Sequence, residues 1–461
     1  MKKLLALLLA MAMAFALVAC GGDNQDPPAQ DNNPPAADDK TPADTTPTDS
    51  DPAPAGPAGA SEITLWTYPI GNWGKEDVLQ PLLDAFETDT GIKVKVEYLA
   101  YADGDDKVNT ALTVGGAPDL VLEGPQRLVS NWGNGGYMVD LSDMLDETDK
   151  SEIAASALGC ATAADGKLYM YPLVMTAHCM AVNLNAFQEA GADQYLDLDS
   201  HTWTTDDFIK AVEALYAHYN DTVGAVFCAG QGGDQGTRAL VNNLYGASFV
   251  NGTHDGYTWD DPNNIKALEL LRDMDGIEFD ASLAGGDEIA KFYQGILKMA
   301  FCWNIQQQTD PNGAGTGTGK TLTGDDIAFM AFPSQDGSAS LCGGWWGFGI
   351  FDNGDAARIE AAKTFIKYMC DSEHTAEAVK TATFYPARSA AEGTDLSNVW
   401  AGNDLMAEYN KLLPMLGEYY EDTKGWTQAR TSWWNMLQDI GEGAGIAETV
   451  ATFQAEANAA G

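Results

Sequence analysis

After its first sixty residues the chain alternates between two hydrophobic periodicities. Residues 62–67 and 92–98 alternate apolar and polar side chains in the manner of half-buried strands, and 115–122 is a turn that leads into a continuously apolar strand. Between these segments, 77–88 and 105–113 place apolar residues at helical spacing. The order strand, helix, strand, helix, strand predicts an α/β fold with a mostly parallel sheet.

The residues directly after these strands are the first candidates for ligand contact. In α/β sheets, ligands bind beyond the carboxyl ends of the strands. Trp66, Tyr68 and Trp73 follow the first strand, and Glu123 follows the third. Each aromatic residue could equally belong to the core.

The N-terminus has the pattern of an export signal. Lys2 and Lys3 precede an apolar run over 4–18, which is too short for a stable membrane span. The run ends at Cys20, in a segment that resembles the lipobox of bacterial lipoproteins. We therefore expect a signal peptide over 1–19 and a diacylated Cys20 that anchors the protein to the outer face of the cell membrane. The alternative is an ordinary cleavage site near a chance cysteine.

Residues 21–60 have a composition that cannot form a core. The segment has nine Pro and eight Asp, and it contains no aromatic residue and no aliphatic residue larger than Ala. Such a stretch is predicted to be an extended, disordered tether. Residues 20–60 would therefore connect the anchor to the folded part.

Charge excludes several classes of partner. The 461 residues include 67 acidic and 25 basic side chains, which give a formal net charge of −42. Nucleic acid is disfavoured because its binding needs clustered Lys and Arg, and an anionic membrane surface is disfavoured for the same reason. The hydrophobic fraction of 45% is sufficient for a multidomain globular protein.

Several motifs occur in an order that resembles the sugar-type extracellular solute-binding proteins of bacterial ABC importers. The resemblance covers 62–461, and its motifs include ITLWTYP, LLDAFETDTGIKVKVEY, GGAPDLVLEG, DGKLYMYPL, HTWTTDDFIKAVEAL, GILKMAFCW and TFYPARS. None is specific alone, whereas their shared order and spacing is.

The resemblance implies a two-lobed, periplasmic-binding-protein-like α/β fold with a hinge between the lobes. Lobe one would comprise 62–174 plus 344–384, and lobe two 175–333 plus 391–461. Crossing strands would lie between these segments. A ligand would bind between the lobes and be enclosed when the hinge closes.

A carbohydrate ligand needs flat aromatic side chains for its C–H faces and fixed polar groups for its hydroxyls. The resemblance places stacking aromatics at Trp303 and at Trp345 and Trp346, and glycine at 344 would let backbone approach a ligand. The further candidates, each of which could be an ordinary core or loop residue, are Tyr385, Thr176, His178, Gln231, Asp234 and Arg388. Arg388 could instead form a structural ion pair at the hinge.

Enzyme signatures are weak. Residues 314–321 fit a permissive P-loop pattern, but no buried strand precedes them and no helix pattern follows. A glycosidase needs a pair of carboxylates, and with 67 acidic residues the count of acids does not argue against such a pair. No spacing indicates a zinc site. The acidic clusters at 103–106 and 352–355 could bind calcium adventitiously, but neither matches a full calcium-loop pattern, so no metal and no cofactor are expected.

The six cysteines after Cys20 mostly lie within apolar runs, which favours unpaired thiols. If any pair forms a disulfide, Cys302 with Cys342 or Cys160 with Cys179 is the least implausible.

The sequence thus predicts a lipid-anchored, monomeric receptor that is not an enzyme. It would capture a mono- or oligosaccharide between two lobes and deliver it to the permease subunits of an ABC importer. Alternatives are the same fold binding a polyol or a glycerol phosphodiester, or a secreted carbohydrate-active enzyme or adhesin. With Arg388 as the single cation among the candidates, an uncharged ligand is favoured.

Overall fold

The computed structural model describes residues 59–101, 103–227, 234–309 and 319–461. In these residues there are twelve strands: β1 Glu62–Thr67, β2 Lys93–Tyr98, β3 Leu120–Glu123, β4 Tyr171–Asn183, β5 Gly224–Phe227, β6 Ile277–Asp280, β7 Met299–Trp303, β8 Ile327–Met330, β9 Cys342–Ile350, β10 Tyr385–Pro386, β11 Ala390–Ala391 and β12 Thr394–Asp395.

The same residues form fifteen α-helices: α1 Glu76–Thr90, α2 Gly104–Val114, α3 Glu147–Glu152, α4 Ala155–Ala161, α5 Leu184–Ala190, α6 Thr205–Tyr219, α7 Asp234–Tyr245, α8 Pro262–Asp273, α9 Gly285–Tyr293, α10 Ile305–Thr309, α11 Ala356–Cys370, α12 Thr375–Ala382, α13 Asp404–Tyr409, α14 Trp426–Gly441 and α15 Ile446–Ala459. A π-helical turn, Gln126–Gly133, follows β3. No helix in the described residues is long and apolar enough to cross a membrane.

The predicted order of the first elements is confirmed. The expected helices lie within α1 and α2, and the expected strands coincide with β1, β2 and β3. In α1, Leu79, Leu82, Leu83 and Phe86 are buried on one face. Gly91 ends the helix in the left-handed region at φ 71°, where a residue without Cβ is unstrained.

The main sheet has the strand order β2-β1-β3-β9-β4-β10. Strands β1, β2 and β3 pair in parallel, whereas β9, β4 and β10 join antiparallel. The expected mostly parallel sheet is therefore only half of the main sheet, because β9 enters beside β3 from a distant part of the chain and not through a crossover helix.

Strand β4 joins two sheets. Its residues 171–178 pair with β9, and from Cys179 onward it pairs with β7 and β8, which we call the second sheet. At ~3.3 Å per residue, thirteen residues span roughly 40 Å. One continuous, almost fully buried strand thus connects both parts of the molecule.

Helices cover the second sheet and the neighbouring two-stranded sheet of β5 and β6. Helices α7 and α9 pack on β7, and α14 packs on β6, which pairs in parallel with β5. Gly236 of α7 lies so close to β7 that an added Cβ would be 2.1 Å from the Phe301 carbonyl oxygen. Glycine therefore permits direct helix-to-strand contact here.

Some predictions lie outside the described residues: the signal peptide, Cys20, the tether, Gln231, Cys228 and most of the P-loop-like segment 314–321. The lobe boundaries remain predictions. The partner change within β4 occurs at 178–179, four residues after the expected boundary at 174/175.

The cysteines of the described part, which are Cys160, Cys179, Cys302, Cys342 and Cys370, are free thiols. The expectation of unpaired thiols is confirmed for these five, and both suggested bridges are wrong. Burial raises the pKa of Cys302 to about 12, which makes this thiol a packed apolar group and not a nucleophile.

Candidate ligand-binding cleft

A cavity of about 490 Å³ lies where the main sheet meets the second sheet. Its first wall is formed by the segments that follow β1, β2 and β3. Its second wall is formed by the start of α7, the residues after β7, the loop 419–421 and α14. Its floor is formed by His178, residues 343–346 and Phe384. The volume is within the usual range for small-molecule sites.

The first wall is built around a buried arginine. Arg127, in the π-helical turn after β3, forms ion pairs with Glu123 at 3.0 Å and with Asp105 at 2.6 Å. Its guanidinium lies 4.8 Å from the ring centroid of Tyr68 and 5.4 Å from that of Tyr101. Burial raises the pKa of Glu123, and Arg127 opposes that rise. The wall therefore presents a paired charge cluster with an aromatic face at Tyr101.

Trp346 and His178 form the aromatic part of the floor. The Trp346 ring lies 5.4 Å from Phe384 and 6.5 Å, edge to face, from His178. Burial lowers the pKa of His178 to about 4, so its imidazole is neutral at physiological pH. Its Nδ1 is buried and has no hydrogen-bond partner. The floor thus offers an indole face beside an unpaired polar nitrogen.

Close strand packing at the floor requires glycine at 343. Gly343 has φ 135°, and a Cβ on it would lie 2.4 Å from the Thr176 carbonyl oxygen. The neighbouring Gly344 lines the cleft, and a Cβ on it would be in van der Waals contact with the Tyr419 ring at 3.6 Å. Backbone of β9 is consequently accessible from the cleft.

The second wall contains two carboxylates held by arginines. Asp234 accepts hydrogen bonds from Arg430 at 2.9 and 2.6 Å and also pairs with Arg238. Glu421 accepts from Arg238 at 2.8 Å and from Gln235 at 3.0 Å. Burial alone would raise the pKa of Asp234, but Arg430 and Arg238 hold it well below its usual range.

Two hydrogen bonds join the walls across the cleft. The Gln306 side-chain amide donates to Asn72 Oδ1 at 3.1 Å, and the backbone N–H of Gln126 donates to the Tyr419 hydroxyl at 2.9 Å. These contacts hold the two walls close together.

Six predicted site residues meet at the cleft: Glu123, His178, Asp234, Gly344, Trp345 and Trp346. Strand-end position was an informative signal for Glu123, which ends β3. Trp345 lines this cleft and also two neighbouring cavities, of about 610 and 790 Å³.

Seven other predicted residues do not line the cleft. Trp66 is half-buried beside Lys107, which lies 5.4 Å from its ring, and Tyr68 is buried beneath Arg127. Thr176 is fully buried, and its hydroxyl donates to the Ala177 carbonyl oxygen at 3.4 Å.

The remaining four have structural partners in the core. Trp73 donates to the Ala378 carbonyl oxygen at 3.1 Å, Trp303 to the Tyr293 hydroxyl at 3.0 Å, and Tyr385 to the Met406 carbonyl oxygen at 2.7 Å. Arg388 forms ion pairs with Asp149, Glu152 and Asp371. The structural ion-pair interpretation of Arg388 is therefore the one that the geometry supports.

Trp303 is buried because of strand alternation. Successive side chains of a strand point to opposite faces, and on β7 it is Cys302 that reaches the cleft. Trp303 points into the core, where its ring stacks on Phe329 with centroids 6.2 Å apart.

Sequence reasoning missed Tyr101, Arg127, Tyr419, Glu421 and Arg430. Tyr101 follows β2 by three residues, so the strand-end rule could have found it. Arg127 lies four residues after Glu123, a spacing typical of an ion pair on a helical turn. Nothing in the local pattern marks the other three.

The sequence model of the bacterial extracellular solute-binding protein family matches residues 81–408. A characterised relative, the diacetylchitobiose binding protein DasA of Streptomyces coelicolor, is 27% identical over 192 residues. That segment covers 41% of this chain and 38% of the relative, so the match spans well under half of either protein.

Solved structures share the fold. The GacH receptor of Streptomyces glaucescens, studied unliganded and with acarbose, has a TM-score of 0.67 at 18% identity, over 85% of this chain and 96% of its own. A Thermotoga lettingae solute-binding protein bound to α-D-tagatose has a TM-score of 0.69 at 16% identity, over 86% of this chain and 99% of its own. An Agrobacterium radiobacter solute-binding protein in complex with ribitol has a TM-score of 0.66 at 21% identity, over 88% of this chain and 100% of its own.

The predicted two-lobed, periplasmic-binding-protein-like α/β fold is confirmed by this likeness. The family match extends over most of the chain, through β4, the second sheet and the floor of the cleft. The chain therefore belongs to the family of bacterial extracellular solute-binding proteins.

Proposed function

We propose that this protein is the receptor of an ABC importer and binds an uncharged carbohydrate in the cleft between the main and second sheets. It would release the ligand to membrane permease subunits without chemical change. The observation that supports this most directly is the composition of the cleft: an indole face at Trp346 beside polar groups, with every lining carboxylate and guanidinium already in an ion pair.

The charge pairing favours an uncharged ligand. Glu123 pairs with Arg127 on the first wall. On the second wall, Asp234 and Glu421 both pair with Arg238, and Asp234 also pairs with Arg430. An anionic ligand such as a glycerol phosphodiester would need a free cation in the cleft. The lining arginines already pair with buried carboxylates, so binding the anion would break one of these ion pairs. A sugar, by contrast, can donate hydrogen bonds from its hydroxyl groups to paired carboxylates and stack the C–H face of its ring on Trp346.

The named ligands of the relatives point the same way. DasA is named for diacetylchitobiose, and the structural relatives hold acarbose, α-D-tagatose and ribitol. All four are rich in hydroxyl groups. We therefore infer that a mono- or oligosaccharide is the ligand class, and the ribitol-bound relative makes a polyol the second candidate.

Cell-surface attachment is part of the proposal. The export signal over 1–19 and the lipobox-like segment at Cys20 support a lipid anchor on the outer face of the membrane, with 21–60 as a spacer. Cys20→Ser should abolish labelling of the protein by radioactive fatty acid in cells. Retained labelling would contradict the anchor.

Isothermal titration calorimetry tests the binding function directly. The panel consists of diacetylchitobiose, maltotriose, β-1,6-galactobiose, α-D-tagatose and ribitol. We expect saturable binding of at least one member, with the same sugar recovered unchanged by chromatography. Product formation would contradict a pure receptor and support the carbohydrate-active enzyme, and absence of binding across the panel would overturn the proposal.

Trp346→Ala locates the site. Loss of the indole face should weaken binding about tenfold to hundredfold, equivalent to about 1.4 to 2.8 kcal/mol. The matched control is Trp434→Ala, because Trp434 is half-buried on α14 and does not line the cleft. Equal affinities of both variants would place the ligand elsewhere.

A further inference from the structure

Arg238 does not line the cleft, yet it contacts the side chains that do. It lies one turn into α7 and is completely buried. Its guanidinium donates to Asp234, to Glu421 at 2.8 Å and to the Tyr420 hydroxyl at 3.2 Å. The rings of Trp426 and Phe249 enclose it at 4.8 and 5.5 Å. A single cation therefore joins two cleft carboxylates inside an aromatic cage.

The network extends to two more lining side chains. Asp234 holds Arg430 of α14 through a bidentate contact, and Glu421 accepts from Gln235. Two chain regions that are about 180 residues apart in sequence thus meet at one guanidinium: the start of α7, and the loop at 421 with the first turn of α14. Arginine suits this position because its planar fork supplies five fixed donors, whereas lysine supplies one point charge.

The cage also determines the ionisation of the wall. A buried carboxylate stays charged only when it is paired, and arginine remains protonated at all relevant pH values. The groups that face Asp234 are Arg238 from its own helix, Arg430 from α14 and Cys302 from β7. Two arginines keep the pKa of Asp234 below its usual range, against its burial.

We infer that Arg238 is a positioning residue that holds Asp234 and Glu421 in fixed positions as acceptors for the hydroxyl groups of the ligand. The inference rests on the proposed function. It assigns recognition on the second wall to a residue without ligand contact. It also specifies the ligand: hydroxyl donors that meet two carboxylates whose geometry is set before binding.

The test compares Arg238→Met and Arg238→Lys with the wild-type chain. The probe is the member of the carbohydrate panel that the wild type binds most tightly, titrated at pH 5, 6, 7 and 8. Arg238→Met should weaken binding about tenfold or more at pH 7. With one arginine left, the pKa of Asp234 should rise, so the variant should lose further affinity relative to the wild type as pH falls from 7 to 5.

The lysine variant separates charge from geometry. It restores a cation, so its affinity relative to wild type should no longer change with pH. Part of the loss at pH 7 should remain, because one ammonium group cannot bridge both carboxylates. Glu123 and His178 are unchanged in all three proteins, so any effect of these two residues cancels in the affinity ratio. Arg272→Met, which removes an exposed arginine of α8, is the matched control and should bind as the wild type does.

The outcomes are distinguishable. If the wild type binds a panel member and Arg238→Met binds it with the same affinity and the same pH dependence, the positioning role is overturned. This holds even if the melting temperature of the variant falls. A wild-type chain that binds no panel member overturns the proposed function and this inference with it. If Arg238→Met does not fold, Tyr420→Phe removes a single hydrogen bond to the guanidinium. It should weaken binding about threefold, and unchanged affinity would overturn the inference.

Discussion

Glu288 predicts an unusual pH dependence of stability. This carboxyl lies in α9, is completely buried and accepts a hydrogen bond from the backbone N–H of Phe301. Its Oε2 has no partner. Burial raises the pKa of Glu288 to about 8, against a normal value of 4.5. The side chain is therefore a neutral acid at pH 7 and becomes a buried, uncompensated charge at higher pH.

The direction and size of the effect follow from linkage. Because the folded pKa lies above the unfolded one, the favourable contribution is complete below pH 4.5 and is lost as pH rises to about 8. One pH unit is worth about 1.4 kcal/mol, so the total is about 5 kcal/mol. Between pH 5 and 8.5 the wild type should therefore lose about 4 kcal/mol of this contribution to its free energy of unfolding.

Glu288→Gln isolates this contribution, because glutamine keeps the acceptor for Phe301 and cannot ionise. Urea unfolding at pH 5, 7 and 8.5 gives the free energy of unfolding of variant and wild type. The variant should gain about 4 kcal/mol relative to the wild type between pH 5 and 8.5. Glu269→Gln, an exposed substitution on α8, is the control for which no such gain is expected. A pH-independent difference between Glu288→Gln and wild type would refute the reasoning.

Two further predictions concern packing and buried charge. Gly236→Ala should lower the free energy of unfolding by about 3 kcal/mol, because the new Cβ would lie 2.1 Å from the Phe301 carbonyl oxygen. The control is Gly159→Ala, which has no atom within 4 Å of the new Cβ and should change the free energy of unfolding by less than about 1 kcal/mol. Equal urea midpoints of the two variants would refute this prediction. Arg388→Met should lower the free energy of unfolding by about 1.5 to 3 kcal/mol, because buried Asp149 loses one of its two cations and keeps Lys367. Carbohydrate affinity in calorimetry should stay within about threefold. A large affinity loss would return Arg388 to the binding site.

The fold was largely predictable because local patterns and tertiary packing agree in the first third of the chain. The helix over 77–88 and the strand over 92–98 are present almost as expected. What the pattern could not show is that β9 joins the main sheet antiparallel to β3. Pairing between segments more than two hundred residues apart depends on packing and leaves no local periodicity.

The site was predictable where position along the chain was sufficient. Glu123 ends a strand and Asp234 begins a helix, so both lie at the cleft edge of the sheets. The prediction that Trp303 lines the cleft was wrong because strand alternation turns its side chain into the core, while the neighbouring Cys302 reaches the cleft. An apolar strand gives no sign of which alternate residues face a cavity.

The sequence by itself determined the α/β class, the order of the first elements and the resemblance to the solute-binding family. These properties depend on hydrophobic periodicity and motif order, which are local and one-dimensional. Only the tertiary structure decided that Trp346 faces the cleft while Trp303 faces the core, and that Arg238 joins Asp234 to Glu421. The physical reason is that the facing of a buried strand and the pairing of a buried charge are set by neighbours brought close by folding.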